Sequence, residues 1–176
     1  MKSIETERLI LRPIIESDAQ AIYDYCSGDN VGINAGWKSH ESIEESHEII
    51  KLFFLDKEYV FGIVLKESGK LFGSIGLIPD PKRQNDNTRM LGYAIGEEYW
   101  GRGYASEAVL AILYFGFKEL KLDLISAYCY PFNERSKNVL KKCGFQHEGR
   151  LSLAEKRYDG AIIDHECYSR SDHRYL

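Results

Sequence analysis

No apolar run in the 176-residue chain approaches the roughly 20 residues needed to cross a bilayer, so no helical membrane span is expected. The first eight residues, Met1-Lys2-Ser3-Ile4-Glu5-Thr6-Glu7-Arg8, are largely charged and have no apolar segment behind them, so no secretory leader is expected either. Cysteine is sparse. Cys26, Cys129, Cys143 and Cys167 form no CxxC pair, and the five histidines do not join them at ligand spacing. This pattern predicts reduced, buried thiols in a cytoplasmic protein and no metal site. An excess of positive charge is also missing. With 23 basic and 27 acidic side chains the net charge is -4, which is a poor footprint for a nucleic-acid binder. Internal repeats, low-complexity tracts and Pro/Gly/Ser-rich linkers are absent, so 1–176 reads as a single domain.

What is present is a chain of alternating periodicities. Residues 8–12 read as a strand. Ser17 and Asp18 open a helix carrying Ala19, Ile22, Tyr23 and Cys26, and Gly28-Asp29-Asn30 ends it. Ser42-Ile43-Glu44-Glu45 has the form of a capping box, with Ile43, His47, Ile50 and Phe54 at helical spacing. Strands are expected over 59–65 and 71–78 around a turn at Glu67-Ser68-Gly69-Lys70. The polar stretch 79–87 reads as a long loop, and 90–95 as another strand. Residues 105–120 then form a helix with Ala105, Ala108, Val109, Ile112, Leu113 and Phe117 on one face. A strand over 124–130, a helix over 133–143 closed by Gly144, and two strands around Asp159-Gly160 complete the pattern. This order, seven strands with helices interleaved unevenly, indicates a mixed α/β (α+β) sheet rather than a doubly wound one.

Chemistry is concentrated at Trp100-Gly101-Arg102-Gly103-Tyr104-Ala105-Ser106. A strand leads into this segment and a helix leaves it. The first turn of a helix offers free N–H groups and positive dipole potential, so strand, glycine loop and helix start together suit a phosphate. Gly101 and Gly103 let the backbone approach an anion without a Cβ in the way. Arg102 adds charge and Ser106 a hydroxyl. A glycine-containing turn with no ligand is the plain alternative. The third glycine of a dinucleotide fingerprint is absent, as is the G-K-S/T of a P-loop, so some other diphosphate is indicated.

Together with their neighbours these residues resemble the GNAT (Gcn5-related N-acetyltransferase) superfamily, and within it the branch of ribosomal-protein alanine N-acetyltransferases. Its R/Q-x-x-G-x-G/A signature is matched by 100–105, with Trp100 in place of Arg or Gln. The likeness extends to Thr6-Glu7-Arg8-Leu9-Ile10-Leu11-Arg12-Pro13, Gly92-Tyr93-Ala94-Ile95, Ser106-Glu107-Ala108, Asn133-Glu134-Arg135-Ser136, Cys143-Gly144-Phe145, Glu148-Gly149, and the segment from Asp159-Gly160 to Tyr168. The resemblance implies a mostly antiparallel sheet of about seven strands, splayed between 89–97 and 124–130 and flanked by helices. It also implies transfer of acetyl from acetyl-CoA directly to a primary amine, on a protein N-terminus or a small molecule, without a metal.

The backbone of Tyr93, Ala94 and Ile95 would pair with the pantetheine arm, and 100–106 would hold the pyrophosphate. Asn133 would touch the pantetheine, or serve only as a helix cap. Many family members use a Tyr as general acid four residues after the Ser136 position. Leu140 stands there, which moves that role to Ser136. Glu155 matches a proposed base glutamate of the branch, with Glu97 and Glu98 as alternates. Glu107, in a first helical turn, reads as structural, and His147 and His165 as ordinary polar residues. Acceptor specificity is expected in 27–42 and 150–165, where Tyr158 is a candidate for the mouth of the site and Trp37 is either another or, as the preferred reading, a packed surface aromatic. For assembly the family offers a homodimer. A non-catalytic acyl-CoA sensor on the same fold is the competing reading.

Overall fold

The computed structural model describes residues 2–55 and 57–172, and the ends of the 1–176 span, Met1 included, lie outside them. One sheet of eight strands runs in the order β1-β2-β3-β4-β5-β6-β8-β7. The strands are β1 (Ile4–Glu5), β2 (Leu9–Arg12), β3 (Val60–Leu65), β4 (Leu71–Pro79), β5 (Thr88–Ile95), β6 (Leu124–Cys129), β7 (Gln146–Lys156) and β8 (Ile162–Ser171). All pairings are antiparallel except β5 with β6. The short β1 raises the expected seven strands to eight.

Helices cover both faces. Along β5 the side chains alternate, so Leu91, Tyr93 and Ile95 pack toward one face and Ala94 toward the other. The first face holds α4 (Tyr104–Tyr114) and α5 (Glu134–Lys142), through Ala108, Val109, Ile112, Leu113 and Leu140. The second holds α1 (Ala19–Cys26), α2 (Asp29–Ala35) and α3 (Ile43–Phe53), through Ile22, Val31 and Ile50. Because β4 lies under both layers, its first seven residues are buried regardless of parity.

Two helical expectations need correction. Gly28-Asp29-Asn30 does not lead into a loop. Gly28 instead caps a further helix, α2, in extended conformation, and Gly36 closes it at φ 94°. The helix expected over 105–120 keeps α geometry only to Tyr114, and Phe115–Glu119 widens into a π turn that buries Gly116 and Phe117. The expected capping box forms only in part, because the returning bond reaches the residue before the cap rather than the Ser42 N–H. Ser42 Oγ accepts from the Glu45 N–H at 3.1 Å, and the Glu45 carboxylate reaches back to the Glu41 N–H at 2.6 Å.

The parallel ladder between β5 and β6 is short. It runs from Thr88↔Leu124 to Leu91↔Ala127 and stops there. Beyond that point the strands diverge, so the edge of β5 from Gly92 onward has no strand beside it. The expected splay therefore opens halfway along β5.

Candidate active site

The splay opens into a cleft of about 760 Å³. The start of α4 forms one wall. Gly101 and Gly103 sit at φ 76° and 82°, a left-handed conformation that L side chains rarely adopt. Gly103 occupies the N-cap position of α4 and supplies no side-chain cap. The first-turn N–H groups of Tyr104, Ala105 and Ser106 thus have no partner within the helix and lie at the cleft, which these three residues line. A Cβ built on Gly101 would meet no protein atom within 4 Å, and one on Gly103 only an Arg8 nitrogen at 3.5 Å. Protein packing does not demand glycine at either position. The backbone conformation does, and the space above both glycines is open. Among the residues present these features suit a diphosphate.

The side chains around the loop hold it rather than fill it. Trp100 Nε1 donates to the Ile95 carbonyl at 2.8 Å, and the Arg135 guanidinium stacks 4.6 Å over the Trp100 ring. The Ile95 carbonyl already accepts one bond within the protein, at the far end of the open edge that holds Tyr93, Ala94 and Ile95. Arg102 does not line the cleft; its guanidinium lies 6.0 Å from the Tyr99 ring, and its carbonyl accepts from Arg8 at 3.1 Å. Glu107 has the structural place expected of it. It accepts from Thr6 Oγ1 at 2.6 Å, from the Arg8 N–H at 2.8 Å and from Arg8 Nε at 2.7 Å. Burial works to raise its pKa, but these hydrogen bonds and the Arg8 charge win and hold the carboxyl below its usual range.

Asn133 caps α5, its Oδ1 accepting from the Ser136 N–H at 3.0 Å, and its Nδ2 donates to the Asn34 carbonyl of α2 at 3.2 Å. The cap thus ties α5 to α2 at the edge of the cleft. Ser136 lies on the cleft wall, and the Tyr93 hydroxyl is 2.9 Å from its Oγ. Sequence reasoning assigned only the backbone of Tyr93. The parity of β5, which turns residues 91, 93 and 95 toward α5, was the signal that could have located this hydroxyl. Burial raises the Tyr93 pKa, so the phenol keeps its proton and can donate to Ser136, leaving the serine hydrogen free to point into the cleft. Burial likewise pushes the neighbouring Cys129 thiol up to about 11, so it is not a ready thiolate nucleophile. Leu140 is 1% exposed and belongs to the core.

Glu155 lies in the same cleft, half-buried on β7. Its Oε1 accepts from the Tyr130 hydroxyl at 3.0 Å, and its Oε2 is 2.9 Å from His165 Nε2. The two alternate bases are elsewhere. Glu97 accepts from Asn30 Nδ2 at 2.9 Å, Glu98 accepts from Lys70 at 3.3 Å, and neither lines the cleft. Of the two aromatic candidates, Trp37 lines the cleft and its buried Nε1–H has no acceptor among the described residues, whereas Tyr158 is exposed outside it. His147 sits on the outer sheet edge beside Glu166 at 2.6 Å, an ordinary surface role. His165 does not, because it reaches the cleft. Gly36 was also missed. A Cβ there would lie 2.7 Å from the Tyr130 oxygen and 3.2 Å from Glu155 Oε1, so this glycine lets the end of α2 close over that pair.

A half-splayed mixed sheet, with a glycine-led helix start and a carboxylate in one cleft, defines the class as a mixed α/β fold whose cleft joins a helix N-terminus suited to an anion with a carboxylate. Comparison with known proteins then gives the family. The Acetyltransferase (GNAT) domain matches residues 8–146, and the chain belongs to that family of acyltransferase enzymes. It is 37% identical over 152 residues to the uncharacterized N-acetyltransferase YoaA of Bacillus subtilis (strain 168), covering 84% of this chain and 85% of that protein. The crystal structure of a GNAT-family acetyltransferase from Bacillus anthracis superposes with TM-score 0.85 at 28% identity, covering 97% of this chain and 98% of the other. That of the ribosomal-protein-S5-alanine acetyltransferase from Vibrio fischeri does so with TM-score 0.76 at 26% identity, covering all of both chains. Among the described residues no helix is long and apolar enough to cross a membrane, and no group of three or more His, Cys, Asp or Glu is placed to hold a metal ion.

Proposed function

We propose that the chain transfers the acetyl group of acetyl-CoA directly to a primary amine. The observation that carries this is a single cleft lined by both the open N-terminus of α4 and the Glu155 carboxylate, with Ser136 on its wall. In this reading the diphosphate lies against the N–H groups of 104–106, and the edge of β5 from Tyr93 to Ile95 accepts the donor's amide-bearing arm as an added strand.

The amine nitrogen attacks the thioester carbonyl carbon, so a C–N bond forms and the C–S bond breaks. The proton lost by nitrogen goes to Glu155, directly or through one water. The departing sulfur takes a hydrogen bond, and then a proton, from Ser136 Oγ, which the Tyr93 phenol supports from behind. Products are the amide and free coenzyme A thiol; Ser136 regains a proton from water as Glu155 returns the one it received to water, so the cycle balances. Leu140 offers no acid, and the protonated Cys129 thiol argues against a covalent acetyl intermediate there.

The acceptor is a protein N-terminus or a small-molecule amine. The apolar and aromatic side chains Trp37, Phe54 and Ile78 around the acceptor end favour an amine with apolar neighbours. The test is thiol release from acetyl-CoA across a panel of amines, with N-terminal peptides included because relatives are named for acting on ribosomal-protein alanine. Turnover with one amine class supports the proposal. Tight acetyl-CoA binding with turnover for none of them would favour the sensor reading.

A further inference from the structure

Glu155 does not stand alone. Its partner His165 is on β8, where the register sets Glu155 opposite Ile163 and His165 two residues further on, so the two side chains share a face of the sheet. The ladder reaches this arrangement through an irregularity. Between Glu155↔Ile163 and Leu151↔His165, four steps on β7 match two on β8, and Leu153 sits at φ 50° within the bulge. The bulge sets Leu151 rather than residue 153 opposite His165, while Glu155 stays on the hairpin side of it with its carboxylate beside the imidazole.

On its other side, His165 Nδ1 is 2.5 Å from Lys82 Nζ, and Lys82 lies 4.0 Å over the Tyr128 ring. An ammonium only donates, so Nδ1 accepts. The ring hydrogen is then on Nε2, where it donates to Glu155 Oε2. The rings of Tyr128 and Tyr130 lie 6.2 and 5.8 Å from the imidazole and fix its plane. All four groups, Lys82, His165, Glu155 and Tyr130, line the cleft.

We propose that His165 and Lys82 are positioning residues for the base, with Lys82 fixing the imidazole tautomer and His165 holding the Glu155 carboxylate aimed at the acceptor amine. This rests on the reading of Glu155 as base. Each carboxylate oxygen receives one hydrogen bond from a neutral donor, so Glu155 is oriented without being neutralised. Were the Lys82 ammonium directly on Glu155, an ion pair would form and weaken the base. The imidazole between them keeps the cation one ring away.

The experiment compares His165→Leu, His165→Gln, Lys82→Met and Glu155→Gln in steady-state kinetics with the best amine of the panel. His165→Leu should lower kcat about 10-fold, the scale of a lost orientation. The KM for acetyl-CoA and the melting temperature should stay near wild type. His165→Gln, whose amide N–H can still donate to Glu155, should recover most of that loss. Glu155→Gln should lower kcat about 100-fold or more, and adding His165→Leu to it should cost nothing further. Imidazole 15N NMR of the wild type should show the Nε2–H tautomer, and Lys82→Met should mix the tautomers. Wild-type turnover in Glu155→Gln would remove the base and this proposal with it. A slow Glu155→Gln beside a wild-type His165→Leu, or an Nδ1–H tautomer, would overturn this proposal alone.

Discussion

Gly103→Ala offers a sharp test of the cofactor loop because its two consequences can be separated. Gly103 sits at φ 82°, and the built Cβ makes only an ordinary contact with Arg8 at 3.5 Å. Its cost to the folded protein is therefore backbone strain, about 1–2 kcal/mol for an L residue in this conformation. Gly69, in the β3–β4 turn, has φ 69° with no atom within 4 Å of a built Cβ, so Gly69→Ala carries the same strain away from the cleft. For a domain of this size either change should lower the melting temperature by roughly 2–8 °C. Only Gly103→Ala puts a methyl group where an anion approaches the N–H groups of 104–106. Loss of one charge-assisted hydrogen bond, worth about 1.5–3 kcal/mol, raises the dissociation constant roughly 10- to 100-fold. Calorimetric titration with acetyl-CoA and thermal melts on both variants read the two effects. Equal acetyl-CoA affinity in the two variants would refute the loop assignment, whatever the melting temperatures. Gly103→Val, with a branched Cβ, should widen the gap in affinity.

Ser136→Ala should reduce kcat about 10-fold while leaving the dissociation constant for acetyl-CoA within about two-fold, a hydroxyl that acts on the leaving sulfur being worth a hydrogen bond in the transition state only. Wild-type turnover, measured by thiol release, would remove Ser136 from the mechanism. Glu107→Ala should destabilise the fold by about 2–3 kcal/mol, because Thr6 and Arg8 lose a shared charged acceptor; a denaturant midpoint equal to wild type would refute that. The folded-state pKa of Glu107 lies below its unfolded value, so its stabilisation is present in full above the ordinary carboxylate range near pH 4.3 and is lost as pH falls through the lowered value. Melts from pH 6 to pH 3 should therefore converge for wild type and Glu107→Ala, and a constant gap would contradict this.

Period and punctuation carried much of the fold. The face of α4 that packs on the sheet is the one its helical spacing indicated, and the S-x-x-E segment caps α3 as read. The missed α2 shows the limit. Asn and Gly within Asp29–Ala35 mimic loop composition, and what makes the segment helical is tertiary. Its last carbonyls are taken by Asn133 at 3.2 Å and Arg157 at 3.4 Å, residues about a hundred positions away. The glycine loop and helix start at the cleft were legible because both are local. The partnership of Glu155 with His165 was not, because it depends on strand register. Continued unbroken from Lys156↔Ile162, the ladder would set residue 153 opposite His165, and the shift between Leu151 and Glu155 sets Leu151 there instead.

The same buried polar cluster closes one end of the splay and fixes the acceptor end. Asp80, with no side-chain exposure, accepts from Ser126 Oγ at 2.5 Å and from the Tyr128 hydroxyl at 3.0 Å. Both donors lie on β6, at or just past the last rungs of its ladder with β5, where Met90 faces Ser126. A buried carboxylate is tolerable only when so bonded, and these bonds pin the 80–82 segment to β6. The strands therefore cannot part below Leu91, and the twist that separates them acts only above it, on the side of Gly92 to Ala94. Asp80 Oδ1 also accepts the Lys82 N–H at 2.8 Å, which sets where the Lys82 side chain leaves the loop before it crosses Tyr128 to His165. The width of the cleft and the position of the Glu155–His165 pair thus share one anchor. A change at Asp80 should disturb acetyl-CoA binding and base positioning together, whereas changes at Gly103 or His165 should touch only one of them.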